Sequence, residues 1–146
     1  MSMSNASETA FLSLLFNNAD WANVGDAAGL QNSAAAGSFY VALHTADPTD
    51  AGNQTTSEAS YTGYARVAVA RTGGGWTVSG NQVGNTATVQ FGECTAGSAT
   101  VTHFSVGLLA SGAGDILYSG ALSASRAVSA GITPLFNPAT LVGTVD

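Results

Sequence analysis

The chain has 146 residues, of which 45% are hydrophobic but only 8% are charged, whereas a typical soluble domain is about 25% charged. Its three cations are Arg66, Arg71 and Arg126, and nine acids give a formal net charge of -6, so the chain repels phosphate and direct binding of nucleic acid is not expected. The length is that of one domain, and we predict an N-terminal helix and arm over residues 1–36 and a β-sandwich domain over residues 37–146.

The N-terminal segment predicts one short amphipathic helix. Asn5 is a capping residue, Glu8 stands three positions later as in a capping box, and the helix is expected to end at Asn17 or Asn18. Its apolar face is predicted to carry Ala10, Phe11, Leu14 and Leu15. Residues 20–36 are small and weakly patterned, so a second short helix and an irregular arm both stay open.

The N-terminus lacks the basic region that opens a signal peptide, and no apolar run approaches the roughly 20 residues of a membrane span. We therefore expect synthesis in a cytoplasm and no association with a membrane. The single cysteine, Cys94, has no cation beside it to stabilise a thiolate, and we predict a buried or half-buried thiol.

From Ser38 onward the hydrophobic period changes to two, which is typical of β-strands. Strands are predicted around residues 38–44, 64–69, 76–78, 86–91, 101–108, 115–118, 127–128 and 141–145. The segments between them are rich in Gly, Asn, Asp, Ser and Thr, the residues that turn a chain. Short strands with closely spaced turns predict an all-β fold, an antiparallel jelly-roll-like sandwich or a small barrel.

The stretch "YVALHTADPTDAG" contains the first candidate site. His44, Asp47 and Asp50 have a spacing that a metal site can use, but a strand that ends at His44 and runs into an Asp-Pro turn explains it equally well. In that interpretation Phe39, Val41 and Leu43 face the core and His44 points away from it. We favour the turn, because the only other histidine is His103 and a third ligand is not evident.

The remaining candidates also favour a structural interpretation. His103 and Ser105 lie on one strand too close in sequence to form a Ser-His pair, and "RTGGGW" lacks the lysine and helix of a phosphate loop. The aromatic residues at strand positions are more often core than a sugar-stacking platform; they are Trp21, Trp76, Tyr40, Tyr61, Tyr64 and Tyr118. We therefore predict no catalytic, cofactor-binding or metal-binding residues, no cofactor and no enzymatic activity.

A solitary β domain usually protects its sheet edges with lysines, prolines or inward charges, and this chain has few of these. Depletion of charge is typical of the buried centre of protein interfaces. We expect other subunits in a permanent assembly to cover much of the surface, including at least one sheet edge.

Several segments together resemble a known family: "FLSLLF" in the helix, "FYVALHTADPTDAG", "YTGYARVAVAR", "GNTATVQFGECTAGSATVTHFSVGLLASGAGDILYSGAL" and "VSAGITPLFNPATLVGTVD". They resemble small virion proteins of tailed double-stranded-DNA bacteriophages, often described as tail-fibre-like. The resemblance runs from about residue 10 to residue 146 and carries no catalytic residues with it.

The resemblance implies a structural virion protein made in the bacterial cytoplasm. Among such proteins the size and composition are similar to those of cement or decoration proteins, which bind the outside of the capsid as trimers and tie coat subunits together. The expected partners are then the major capsid protein and further copies in a homotrimer, with coat contacts at Phe11, Leu15, Phe16 and Trp21. The alternative is a tail-fibre or baseplate component that binds a host glycan through Trp21, Tyr61 or Trp76.

Overall fold

A computed structural model describes residues 1–145, which form one α-helix and nine β-strands. The elements are α1 (Asn5–Asn17), β1 (Ser38–His44), β2 (Val67–Ala70), β3 (Trp76–Ser79), β4 (Gln82–Asn85), β5 (Val89–Gln90), β6 (Ser98–Gly107), β7 (Ile116–Ser129), β8 (Leu135–Phe136) and β9 (Val142–Thr144). The sheets have the orders β2-β1-β6-β7, β3-β4-β9 and β5-β8. The predicted antiparallel β class with a short N-terminal helix is confirmed, and the barrel alternative is wrong because these sheets are open.

Backbone contacts divide the chain into two compact units. The first comprises residues 1–38, 70–88 and 136–145, and the second comprises residues 39–69 and 89–135. The division at residue 36 that the sequence suggested is a different partition of the chain and stays a prediction.

In the first unit, α1 packs against β3 and β4. Leu12 and Phe16, one helical turn apart, are buried, and the Phe16 ring meets Trp76 edge-on with 5.0 Å between centroids. Burial of side chains of this size contributes about 1.5–3 kcal/mol each. The buried face is thus Glu8, Leu12 and Phe16, whereas the four residues predicted for it are half-buried.

The ends of α1 follow local backbone chemistry. Ser4, in an extended conformation, is the N-cap, and its hydroxyl accepts a hydrogen bond from the Ser7 N–H at 3.4 Å. The predicted cap at Asn5 is therefore wrong by one residue, and Glu8 does not occupy the capping-box position. The predicted end at Asn17 or Asn18 is confirmed, because Asn18 takes the left-handed conformation, with φ 52°, that commonly closes a helix.

Residues 18–33 form an irregular closed loop, which resolves the alternatives left open for this segment. The backbones of Trp21 and Leu30 exchange two 2.9 Å hydrogen bonds, and the Asn18 amide both donates to and accepts from the backbone of Ser33. Gly29 is required here, because a Cβ at that position would lie 2.1 Å from the Trp21 carbonyl oxygen. The segment is compact and bonded to itself at its base.

In the second unit, β1 and β7 flank β6, and both pair with it in the antiparallel sense. β1 pairs with β6 from Tyr40 opposite Gly107 to His44 opposite His103. Buried apolar residues of this sheet include Val41, Leu43, Val101 and Val106. Strand β1 and its inward residues Phe39, Val41 and Leu43 are confirmed.

Two strands differ from the sequence prediction. Residues 82–85, assigned to a turn because of their Gly and Asn content, form β4, which is held by β3 on one side and β9 on the other. Residues 116–129, predicted as two short strands, form the single strand β7. Between Val101 and His103 of β6, which pair with Arg126 and Ala121, four β7 residues lie opposite Thr102 alone. This bulge and the small residues around it conceal the strand in the sequence.

Candidate functional site

A group of buried and half-buried polar side chains lies in the second unit, where residues 45–66 connect β1 to β2. We call it the polar cluster, and its members are His44, Gln54, Glu58, Tyr64, Arg66 and Ser105. His44, Gln54 and Ser105 are completely buried. The cluster is therefore the first place to look for chemistry in this chain.

His44 does not point away from the core, as the sequence suggested, but is fully buried between two partners. Its Nδ1 lies 2.8 Å from the Thr56 carbonyl oxygen, and its Nε2 lies 2.8 Å from the Ser105 Oγ. A carbonyl can only accept, so Nδ1 carries the proton and Nε2 accepts from the Ser105 hydroxyl. Alternation places His44 on the face opposite Val41 and Leu43, but this face is buried as well, because the following loop folds back over the end of the strand.

A serine hydroxyl donating to a histidine is the arrangement that activates a nucleophile. Here both side chains are completely buried, so the hydroxyl has no access to a substrate. Burial lowers the pKa of His44, against the opposing effects of the Thr56 hydrogen bond and the charge of Glu58. The neutral, buried pair therefore acts as a hydrogen-bonded link between the sheet and residues 45–66.

Arg66 is the second centre of the cluster, and its side chain is 2% exposed. Its Nε and Nη2 contact the two carboxylate oxygens of Glu58 at 2.7 Å each, a bidentate pair. The remaining bonds go to the carbonyl oxygens of Leu109, at 2.9 Å, and Gly112, at 2.8 Å. The hydrogen bonds that Arg66 donates to Glu58 raise the pKa of Arg66, so the guanidinium stays charged although it is buried.

Tyr64 extends this network to β1. Its hydroxyl donates to Glu58 Oε1 at 2.9 Å and accepts from the Leu43 N–H at 3.1 Å. Burial raises the pKa of Tyr64, with the neighbouring Glu58 acting in the same direction. The phenol is therefore a neutral hydrogen-bonding group that ties Glu58 to the sheet.

Gln54 fixes the turn between β6 and β7. Its side-chain oxygen accepts a hydrogen bond from the Leu109 N–H at 2.9 Å, and its backbone N–H donates to the Gly114 carbonyl at 2.8 Å. Glycine is needed at positions 107 and 114, because a Cβ there would lie 2.2 Å and 2.3 Å from atoms of the Gln54 side chain. Arg66 and Gln54 together hold residues 108–114, while Leu108 and Leu109 on this loop stay exposed.

The other sites considered in the sequence have structural roles. The Asp47 carboxylate accepts from the Thr49 N–H at 2.9 Å, which confirms the turn, and His103 Nδ1 contacts the neighbouring Thr102 hydroxyl and not Ser105. Cys94 is a buried thiol, as predicted. Within residues 1–145 no group of three or more His, Cys, Asp or Glu side chains is placed to hold a metal ion. None of the helices in that range is long and apolar enough to span a membrane.

Of the four predicted coat-contact residues, Phe16 is buried in the core of its own unit. Phe11, Leu15 and Trp21 are half-buried and keep some surface for a partner. The aromatic residues proposed for glycan stacking are mostly core, because Trp76 and Tyr61 are 1% and 4% exposed. Among the three candidates, Trp21, Tyr61 and Trp76, only Trp21 keeps exposed surface for a stacking contact.

The first unit has its own buried polar anchors. The Asn85 amide donates to the carbonyls of Ala87 and Asn137 at 2.8 Å each, and its oxygen accepts from the N–H groups of Thr140 and Leu141. Arg71 donates to the carbonyls of Leu14 and Leu15 at the end of α1 and to Ala36. These groups hold chain segments in place and contain no nucleophile.

Sequence reasoning missed Gln54, Glu58, Arg66 and Asn85, since all but Arg66 lie in segments assigned to turns. The sequence did contain one signal for Arg66. It lies in the alternating stretch 64–69, and an arginine that is buried in a strand is almost always paired with an acid. The carboxylate of Glu58, eight residues earlier, was the nearest candidate on that side of the chain.

Comparison with known protein families identifies the family to which the chain belongs. A family model described as podophage GP4 fiber I protein gp80 matches residues 2–144. No curated protein matches the chain. The family match confirms the resemblance to small structural proteins of tailed phages that the sequence segments indicated.

Proposed function

The chain belongs to the family of the podophage GP4 fiber I protein gp80, a structural protein of phage particles, and on that premise we propose that it binds the outside of the phage head as a cement or decoration protein. In this proposal it contacts the major capsid protein and further copies of itself as a trimer. It has no catalytic role and is made in the bacterial cytoplasm.

The observation that carries the proposal is the number of large apolar side chains left on the surface of a chain with few charges. Apart from the terminal Met1, the large apolar side chains that are more than about a third exposed lie in several separate segments: Val24, Leu30, Leu108, Leu109, Ile132, Leu135 and Val142. Single exposed apolar residues are normal, but here they stand among very few charged neighbours. Several small contact areas on one subunit suit a protein whose weak contacts act together over a lattice.

The polar cluster supports a structural role by the way its groups are used. His44, Ser105, Gln54 and the Arg66–Glu58 pair direct their bonds to the protein's own backbone and side chains. Polar groups whose hydrogen bonds are satisfied in this way rigidify loops, and a rigid loop loses less entropy when it binds. The surface loops that the cluster holds are thus suited to contact a partner.

The second candidate is a subunit of a tail fibre or baseplate, and the description of the family as a fiber protein favours it. Half-buried Trp21 is the aromatic residue left for a glycan contact in that role. The two candidates differ in the number of copies per particle, because a lattice protein is present in hundreds and a fibre subunit in a handful.

Quantitative staining or mass spectrometry of purified virions measures that number directly. Hundreds of copies, released from the head fraction together with coat protein, are the result expected for a cement protein. A handful of copies in the tail fraction would replace the cement role by the fibre role. Complete absence from purified virions would overturn both.

The proposed anchor is tested separately by the half-buried apolar residues of α1. Phe11→Ser and Leu15→Ser are expected to lower occupancy on the head, measured as copies per virion. Thr9→Ser in the same helix is the control, since it keeps the hydroxyl that bonds to the Gly80 carbonyl. Unchanged occupancy in both apolar variants would remove α1 as the anchor.

A further inference from the structure

Strand β7 is the edge of the four-stranded sheet, with no further strand beyond it in residues 1–145. It has 14 residues and, because of its bulge, lies along the ten residues of β6, a length of about 33 Å at the usual rise per residue. The other edge strands in the described chain have only two to four residues. Short edges are one way in which proteins prevent unwanted strand pairing, and β7 does not use it.

The other protections of an edge are also sparse along β7. The strand contains no proline and no lysine, and Arg126 is its one charged residue. Residues 123–127 are exposed at five consecutive positions, although one face of an ordinary antiparallel strand is packed. This part of β7 therefore offers both faces and one edge to a partner. The strand departs from regular pairing with β6 at two places, the bulge at residues 122–125 and a smaller register shift at Leu117, and these irregularities are its main protection.

We propose that β7 pairs with β7 of a second copy of this chain, antiparallel, about a two-fold axis at the bulge. The length of the edge points to this occupant, because among the described edge strands only β7 itself is long enough to cover it. The antiparallel direction follows from charge: parallel strands in register would place the two Arg126 side chains together, whereas antiparallel strands separate them. The inference rests on the proposed role and names a contact between copies in neighbouring trimers, because a two-fold contact joins two subunits and cannot close a trimer.

The bulge fixes the register. It separates two regular runs of β7, residues 118–121 and 126–129. An axis at the centre of residues 122–125 sets the first run of one copy against the second run of the other, so that Ala121 faces Arg126 and Gly120 faces Ala127. In the sheet, Gly120 pairs with Phe104 and Ala127 with Thr100, which lie on the same face of β6 because they are four residues apart. Opposed side chains therefore share a face, as a two-fold axis requires.

Cysteine scanning tests this register with little background, because Cys94 is the chain's single cysteine and is buried. Ser123→Cys, beside the axis, should form a disulfide with the same residue of a second copy on mild oxidation. The same register sets Tyr118 opposite Ser129, so Tyr118→Cys and Ser129→Cys should each stay monomeric under oxidation but link when mixed. The β6 partners of these two positions, Val106 and Ser98, are eight residues apart, so self-pairs lie about 27 Å apart, beyond the roughly 7 Å reach of a disulfide. Thr100→Cys, exposed on β6 but not at an edge, gives the collisional rate.

A charge reversal provides a second, independent measurement. Ala121→Lys sets a cation against Arg126 of the partner and should weaken association at least tenfold in analytical ultracentrifugation. Adding Arg126→Glu to it should restore association, because the opposed pair becomes attractive. Thr100→Lys carries the same added charge away from the edge and should leave association unchanged.

Disulfides in every single-cysteine variant would indicate parallel pairing and overturn the proposal, as would rates no faster than that of Thr100→Cys. A protein that stays monomeric at all concentrations would overturn it as well. These outcomes are distinct from failure of the virion role, which is decided by the composition of purified particles. Pairing without incorporation would refute the role, and incorporation without the cross-linking pattern would refute the β7 contact.

Discussion

Arg66 and Arg71 hold loops in the two units of the chain, but they do so with different partners. Arg66 pairs with the Glu58 carboxylate and two loop carbonyls, whereas Arg71 donates to three carbonyls, two of them at the C-terminal end of α1. The end of a helix carries partial negative charge, which attracts the Arg71 guanidinium. The described residues of the second unit include no helix, and there the Glu58 carboxylate supplies a full negative charge.

The comparison teaches how a chain with few charges uses them. Two of its three arginines are committed to folding individual segments, and their partners are internal. The exposed acids lie outside β7, where Arg126 is the one charged residue. The internal use of two arginines and the sparsely charged edge of β7 are thus two consequences of the same composition.

The largest expected effect comes from removing the counter-charge in the second unit. Glu58→Gln keeps the size of the side chain but leaves the buried Arg66 guanidinium without an anion, which typically destabilises a fold by about 3–5 kcal/mol. Urea denaturation measures the free energy of unfolding. Arg126→Met, at an exposed position, is the control and should lie within about 0.5 kcal/mol of the parent.

The double variant Glu58→Gln with Arg66→Met sharpens this prediction, because it removes the buried charge as well. It should be more stable than Glu58→Gln alone. If the single variant lost no more than the control, Arg66 would not depend on its carboxylate and the contrast between the two units would fail.

A smaller effect is expected in the first unit. Arg71→Met removes charge-assisted bonds to backbone carbonyls, which are each worth about 1.5–3 kcal/mol at most and are partly replaced by water at a half-buried site. The loss should be local, with faster amide hydrogen exchange in residues 5–17 and near Ala36 and little change in residues 98–107. A loss equal to that of Glu58→Gln, spread over both units, would contradict the distinction drawn here.

The smallest effect is the pH dependence of the second unit, where both histidines lie. Burial holds the pKa of His44 below its usual 6.5, so the folded protein keeps the ring neutral while the unfolded chain takes up a proton. The stability associated with His44 is thus present above pH 6.5 and is lost as the pH falls below it, by at most about 1.4 kcal/mol per pH unit.

Unfolding free energies between pH 7.5 and 5 measure this slope, and the NMR titration of the His44 ring assigns it. His44→Gln should reduce the slope, while His103→Gln, at a half-buried position, should leave most of it. A His44 ring that titrates at or above 6.5 in the folded protein would show that burial does not govern its charge.

The sequence by itself determined the class of the protein. Alternating apolar residues fixed strands such as β1, the sparse charge pointed to a covered surface, and the pattern of segments pointed to the phage family. It also placed the Asp47 turn and the buried Cys94, because turn chemistry and a lone apolar thiol are decided by near neighbours.

The tertiary structure decided what depends on partners distant in the chain. His44 is buried because the loop over residues 45–66 folds back on the strand, and Arg66 is buried because Glu58 and two carbonyls 43 and 46 residues away receive its bonds. The small residues of β7 have weak strand preference, and only pairing with β6 makes them one long strand. The sequence pattern around a residue reports its local conformational preference. Burial and strand pairing depend on segments that are distant in the chain and contact the residue only in the folded protein.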